Sequence, residues 1–152
     1  MSPALNFHVN ASWVLGQHGT VEGDPGAKRI EFSAPPEFQG EPGFWSPEHF
    51  LLAAVASCFV TTFRAIARIS KFEPVSLDLS AEGIVEKGEG GFAFTQIILK
   101  PRLMIHQESE RERGLRLLEK TEHSCLISHS LKATVTMEAN VAVADMEMAD
   151  IT

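Results

Sequence analysis

The side chains best suited to chemistry in this chain are those of its two cysteines, Cys58 and Cys125. Cys58 lies within the apolar run SPEHFLLAAVASCFVTTFRAIARIS, and Cys125 follows a charged stretch, in LEKTEHSCLISHSLKATV. Two thiols on helical elements of an otherwise cysteine-free chain indicate redox chemistry, in which a thiolate is the nucleophile. Free cysteines are also common in protein cores, so two unrelated buried thiols are the alternative interpretation.

A reactive Cys58 would need a positive group nearby, because apolar surroundings raise the pKa of a thiol. Arg64 and Arg68 are near it in sequence, but they lie about 120° and about 80° around the helix from Cys58. We therefore expect both arginines to extend toward solvent. Glu48, ten residues before Cys58, is about 15 Å away along the helix. It could reach a Cys58 only in a second subunit; alternatively, it complements the helix dipole.

Composition and charge narrow the class of protein. A chain of 152 residues is long enough for one domain with its own core. The net charge of −7 argues against nucleic-acid binding. The apolar run from Phe50 to Phe63 has the length of a core helix, so we expect no membrane span. The N-terminus does not resemble a signal peptide, and two cysteines fit a reducing compartment, so we expect a cytoplasmic protein.

The first part of the chain predicts two strands and a long helix. FHVNASWVLG and KRIEFSAP read as strands, the four glycines of residues 16–26 predict turns, and PPEFQGEPGFW reads as a loop. The helix is expected to begin after Ser46 as N-cap and to continue to about Ser70. It is apolar on nearly every side, so we expect it to be buried all round, with a second subunit completing its cover.

The second part predicts a hairpin, a helix and a closing strand. Alternation in PVSLDLSAEGIVEK, the turn GEGG and the strand FAFTQIILKPRLMI indicate a hairpin over residues 75–105. ESERERGLRLLEKTEHS is an amphipathic helix, and LKATVTMEANVAVA is the last strand. The order ββ-α-ββ-α-β is typical of an α+β fold with antiparallel sheet. We expect one domain over 1–152, with its core in 6–143 and a frayed tail at 144–152.

The positions of the histidines in the sequence do not indicate a metal site. A zinc site from Cys58, Cys125 and His129 would still need a fourth ligand, and neither cysteine belongs to a CxxC motif. We therefore predict no metal and no cofactor. Of three functional hypotheses for this chain, a metal-binding thiol protein is the least favoured.

Two segments resemble the OsmC/Ohr family, the osmotically inducible protein C and organic hydroperoxide resistance proteins. SPEHFLLAAVASCF is similar to the family's central-helix motif, in which a cysteine follows a glutamate by ten positions. HSCLISHSLKATVTMEANV is similar to its distal segment, in which a cysteine precedes a short turn and a closing strand. With the order of elements, the resemblance covers roughly residues 6–143.

The resemblance implies a fold, a reaction and a set of partners. The fold would be antiparallel sheets around a long buried central helix, in an intertwined homodimer. Cys58 would be the peroxidatic cysteine that attacks an organic hydroperoxide, and Cys125 the resolving cysteine that closes a disulfide. Glu48 would organise the thiolate together with an arginine. A dithiol such as a lipoylated protein would regenerate the enzyme.

This chain departs from the family at the arginine. Gln17 stands where one branch has it, and the loop PPEFQGEPGF, where the other branch has it, contains none. Gln17 carries no charge, and Arg29, the nearest alternative, is also explained as a solvated charge at a strand end. Phe38, Phe44 and Trp45 could line a substrate pocket, unless two of them are core residues. The second functional hypothesis is therefore a non-peroxidatic relative that binds a small apolar ligand at the dimer interface.

Overall fold

A computed structural model describes residues 2–145 and places them in two compact units. The first unit ends at Leu51 and the second begins at Leu52. Both contain antiparallel sheet, and a long helix joins them, so the predicted α+β class is confirmed. The assignment of the whole chain to one domain stays a prediction. Most of the predicted frayed tail, residues 146–152, lies outside the described residues.

The first unit is built on a three-stranded antiparallel sheet in the order β1-β2-β3. Its strands are β1 (His8–Leu15), β2 (His18–Asp24) and β3 (Ile30–Ser33). The expectation of turns over residues 16–26 is wrong, because β2 occupies most of that segment. Gly19 lies within β2. The position requires glycine because a Cβ there would sit 2.6 Å from the Phe32 ring.

The long helix α1 (Pro47–Ile69) begins as predicted, with Ser46 as its N-cap. The Ser46 hydroxyl accepts the His49 backbone N–H at 3.2 Å, and His49 Nδ1 accepts the Ser46 N–H at 3.0 Å. The pair is a capping box with histidine in the place of the usual glutamate. The helix stops at a left-handed Lys71, φ 56°, where the Phe72 N–H donates to the Ala67 carbonyl.

The second unit contains the predicted hairpin and the predicted helical segment. Strands β4 (Ser76–Gly88) and β5 (Gly91–Ile105) pair antiparallel through a two-residue turn. After a 3-10 turn, α2 (Arg111–Ser124) and the single turn α3 (Leu126–His129) follow. Gly114 lies buried in α2, and a Cβ there would be 2.9 Å from Leu103 Cδ2, so this glycine permits close packing of helix on sheet.

The closing strand differs from its prediction in two respects. It is divided into β6 (Thr134–Met137) and β7 (Asn140–Val143), and both run parallel to β5 rather than antiparallel. After β5 ends, the crossover formed by α2 and α3 carries the chain back toward the beginning of β5. β6 and β7 therefore run in the same direction as β5. The register is the same on both sides of the break, which lies opposite Pro101, a residue with no N–H to donate.

The core of the second unit forms around one stripe of α1. The stripe is fully buried and packs in one cluster with β5, α2 and β7. Its members recur every fourth residue: Val55, Phe59, Phe63 and Ala67. In the single chain the sheet covers one face of the helix and leaves Ser57, Thr61, Arg64 and Arg68 exposed. Burial all round, which was expected with a second subunit, stays a prediction.

By length and composition alone, α1 also passes as a helix that could cross a membrane. The expectation drawn from the shorter run Phe50–Phe63 did not anticipate this. The core helix of a globular protein meets the same criterion, and the buried stripe of α1 packs into the core of the second unit. We therefore describe α1 as a core helix.

Replacing Phe63 by alanine should destabilise the protein by about 3–5 kcal/mol, because it empties a fully buried site. Chemical unfolding followed by circular dichroism measures this. The neighbouring exposed variant Arg64→Ala should stay within about 0.5 kcal/mol of the parent. Equal effects of the two substitutions would contradict the assigned core face of α1.

Candidate functional site

The structure brings the two cysteines together in the second unit. Cys58 lies half-buried on α1, and Cys125 is fully buried at the junction where α2 ends and α3 begins. The Cys125 side chain lies near enough to the Cys58 thiol to lower its pKa, and both are free thiols. Two neighbouring thiols can be joined by a disulfide if the backbone permits its geometry.

Several hydrogen-bond donors converge on the Cys58 sulfur. Burial raises the pKa of the Cys58 thiol, but the donors lower it further than burial raises it, to below its ordinary value. In order of effect, these donors are the Ile127 N–H, the Cys125 side chain, the Thr62 hydroxyl and the Leu126 N–H. All of them are neutral, so dipoles and not a cation favour the thiolate here.

Sequence reasoning missed three of these contributors. Thr62 lies one helical turn after Cys58, and its hydroxyl oxygen is 3.8 Å from Cys58 Sγ. The spacing of four residues could have indicated this contact, because such residues share a helix face. The N–H groups of Leu126 and Ile127 carry no signal in their side chains. They point to the thiol because α3 begins directly after Cys125.

Glu48 lies in the first turn of α1 and is not brought to Cys58 within that helix. Ten residues of α-helix separate the two side chains by about 15 Å. The Glu48 Oε1 atom is buried and has no hydrogen-bond partner in the part of the chain that the structure describes. A buried carboxylate oxygen without a hydrogen-bond donor lowers the stability of the fold, and Glu48 is in this situation in the single chain.

Gln17 and Arg29 both lie in the first unit, whereas the thiols lie in the second. Gln17 is in the turn between β1 and β2, and its carbonyl accepts the Ala34 N–H at 3.3 Å. Arg29 pairs with Glu22, with nitrogen–oxygen distances of 2.5 and 2.7 Å, and both side chains are exposed. The guanidinium of Arg29 is therefore already engaged in an ion pair at the start of β3.

The three aromatic residues proposed for a substrate pocket are not core residues in the single chain. Phe38 is 43% exposed and Trp45 49%, while Phe44 is half-buried. Trp45 stacks on Phe50 with ring centres 5.7 Å apart. A groove of about 580 Å³ in the first unit includes Phe44 and Trp45 but not Phe38; it is lined by Arg29, Ile30, Glu31, Gly43, Phe44 and Trp45.

The histidine and thiol side chains give no support to the metal-binding hypothesis. Within residues 2–145, no three His, Cys, Asp or Glu side chains converge as ligands for a metal ion. The absence of a resident metal or cofactor stays a prediction.

Alkylation of Cys58 should become half-maximal at a lower pH than alkylation of a free cysteine. The hydrogen bonds that lower its pKa make thiolate available at lower pH, and the thiolate is the reacting form. Labelling with iodoacetamide over a pH series, followed by peptide mass mapping, measures the midpoint for each cysteine. Buried Cys125 should label much more slowly. A Cys58 midpoint at or above that of a free thiol would contradict the site geometry.

Comparison with known proteins agrees with the fold. The family model OsmC, described as OsmC-like protein, matches residues 40–140. The chain is 30% identical over 143 residues to the uncharacterized protein YmaD of Bacillus subtilis (strain 168), covering 91% of this chain and 94% of that protein. It is also 30% identical over 122 residues to peroxiredoxin OsmC of Escherichia coli (strain K12), covering 79% and 83%.

A solved structure extends this agreement to the backbone. An OsmC-like protein of unknown function from Vibrio cholerae superposes with a TM-score of 0.80, covering 90% of this chain and 99% of that one. Its sequence identity of 21% shows a shared fold. The resemblance carried by the two cysteine motifs is confirmed, and the chain belongs to the OsmC/Ohr family of OsmC-like proteins.

Proposed function

We propose that this protein is a thiol-dependent peroxidase that reduces organic hydroperoxides. The observation that carries the proposal is the proximity of Cys125 to Cys58, within a set of donors that lowers the pKa of Cys58. A nucleophilic thiolate beside a second thiol is the arrangement that a two-cysteine peroxidase needs. A relative named peroxiredoxin supports the same reaction class.

In the first step, the Cys58 thiolate attacks one oxygen of the hydroperoxide. A sulfur–oxygen bond forms as the oxygen–oxygen bond breaks, and the departing alkoxide takes a proton from water. The products are an alcohol and a Cys58 sulfenic acid. The cysteine has been oxidised by two electrons, and the peroxide has been reduced by two.

In the second step, the Cys125 sulfur attacks the sulfenic sulfur. A disulfide forms, and the hydroxyl leaves as water with the proton of the Cys125 thiol. Because the Cys125 side chain already lies near the Cys58 thiol, the two sulfurs need only a local approach for this step. A dithiol, such as a lipoylated protein, then reduces the disulfide through a mixed disulfide and becomes oxidised itself.

The active unit in this proposal is an intertwined homodimer. Large apolar side chains stay exposed in the single chain: Phe7 at 87%, Trp13 at 79% and Ile69 at 80%. Exposed apolar surface of this kind marks interfaces between proteins. The unpartnered Glu48 Oε1 also lacks a donor that a second subunit could supply. Glu48 of one subunit would then act at the thiols of the other.

A second candidate function is binding of a small apolar ligand without peroxide chemistry. It is favoured by the groove that Phe44 and Trp45 line, and by the engagement of Arg29 with Glu22. Gln17 supplies no charge in place of the family arginine. On this hypothesis the protein would keep Cys58 and Cys125 but would not catalyse the reduction of peroxides.

Stoichiometric organic hydroperoxide should convert the reduced protein to a Cys58–Cys125 disulfide faster than it oxidises a free cysteine. Intact mass and peptide mapping over time measure this. Cys125→Ser should accumulate a trappable sulfenic acid at Cys58, and Cys58→Ser should leave Cys125 reduced. Thiols that oxidise no faster than free cysteine would overturn the peroxidase proposal and favour the ligand-binding function.

Light scattering coupled to size-exclusion chromatography should give twice the chain mass of 16.7 kDa. Burial of the exposed apolar side chains provides the driving force. The measurement should be repeated on the oxidised protein. The mass of the dimer should not change, because the disulfide forms within each subunit. A monomer at micromolar concentration would contradict the shared site.

A further inference from the structure

The hydroxyl of Thr62 differs from those of Ser57, Thr61 and Thr121, which also lie in helices. Ser57, Thr61 and Thr121 each donate to the backbone carbonyl four residues earlier, at 2.6, 3.0 and 2.7 Å. The Thr62 oxygen instead lies 3.8 Å from the Cys58 sulfur, four residues earlier on the same helix. A threonine in a helix has two accessible χ1 rotamers because its oxygen can bond a preceding carbonyl. At position 62 the sulfur is the partner.

We propose that Thr62 is a positioning residue for the Cys58 sulfur, which it orients by donating its hydroxyl proton to the thiolate. The proposal rests on the peroxidase function and concerns the same site. As a thiol, Cys58 can act as donor or acceptor in this contact. Once Cys58 has ionised, only Thr62 carries a proton to donate, so the hydrogen bond selectively stabilises the reactive form.

The role of Thr62 follows from the composition of the site. Within residues 2–145, the Cys58 sulfur has no cation among its hydrogen-bond partners, and each neutral donor therefore supplies a larger share of thiolate stabilisation. The Leu126 and Ile127 donors belong to the backbone and cannot be removed by substitution of a side chain. Cys125 ceases to be a donor when it attacks the sulfenic acid. Thr62 is the side-chain donor that remains in place throughout the reaction.

Packing holds Thr62 where it can act. Phe59 and Phe63, the residues that follow Cys58 and Thr62, are fully buried and belong to the core stripe of α1. Cys58 and Thr62 consequently occupy one row at the border of the core, and both are half-buried. A half-buried row admits a substrate to the sulfur while the anchored helix keeps the hydroxyl beside it.

The test compares Thr62→Val, Thr62→Ser and the adjacent control Thr61→Val. Valine has the shape of threonine without its hydroxyl, and serine restores the hydroxyl. The Thr61 hydroxyl donates to the carbonyls of Ser57 and Cys58 and does not approach the sulfur. Two quantities are measured for each protein: the pH midpoint of Cys58 alkylation by iodoacetamide, and the rate of Cys58 oxidation by tert-butyl hydroperoxide at neutral pH.

Thr62→Val should raise the alkylation midpoint by about half to one pH unit and slow peroxide oxidation about three- to tenfold, as expected for loss of one hydrogen bond to a charged group. Thr62→Ser should stay within about twofold of the parent. Thr61→Val should match the parent in both measurements.

Three results would overturn the proposal: a parental midpoint in Thr62→Val, an equal shift in Thr61→Val, or failure of serine to restore the parental value. The alkylation midpoint does not depend on peroxide turnover. If the parent protein proves unreactive toward peroxide, the peroxidase function fails while the alkylation comparison still decides the role of Thr62.

Discussion

Packing of one stripe of α1 into the sheet of the second unit determines how the rest of that helix is presented. Phe59 and Phe63 anchor the stripe in the core, and this fixes the rotation of the helix about its own axis. Cys58 and Thr62 precede these anchors by one residue each and therefore lie together at the border of the core. Ser57 and Thr61, one step further around, face solvent. The same packing that stabilises the fold also selects which thiol and which hydroxyl meet.

In the described residues of the single chain, the Cys58 thiolate is favoured without a charged partner. A thiol among apolar residues resists ionisation, and the arginine that the family resemblance led us to seek has no counterpart at Gln17. Neutral donors from the start of α3, together with Thr62 and Cys125, favour the anion in its place. Such donors are strongest when the surrounding structure holds them rigidly, because no reorganisation is needed as charge develops. Cys125, at the junction of α2 and α3, is fully buried.

Among residues 2–145 of the single chain, several large apolar side chains are exposed, and the buried Glu48 Oε1 has no hydrogen-bond partner. β1 is exposed along its whole length, and the face of α1 that carries Ser57, Thr61, Arg64 and Arg68 is exposed as well. These features share an explanation in a second subunit, which is why the proposed peroxidase is also a proposed dimer. The arrangement would place Glu48 beside a thiol that it cannot reach along its own helix.

Much of the local structure could be predicted from residue pattern. Ser46 and Pro47 predicted the start of α1, strict alternation predicted β4, and the glycines at 88–91 predicted the hairpin turn. Other local signals were misleading because tertiary contacts overrode them. Of the four glycines in residues 16–26, Gly16 and Gly26 lie in turns, but Gly19 and Gly23 are strand residues. At Gly19 the ring of Phe32 excludes a side chain. The break in the last strand depends on Pro101, which belongs to a different strand.

The sequence by itself determined the fold class, the family and the two cysteines, because these depend on periodicity and on motifs that are local in the chain. Tertiary structure alone decided what surrounds the Cys58 sulfur. The N–H groups of Leu126 and Ile127 reach it from a distant part of the chain, and backbone donors carry no residue-specific signal. Only the crossover from β5 through α2 to β6 places the start of α3 against α1. Stabilisation of a thiolate without a cation is thus a property of the folded chain, since it depends on dipoles that only the fold aligns.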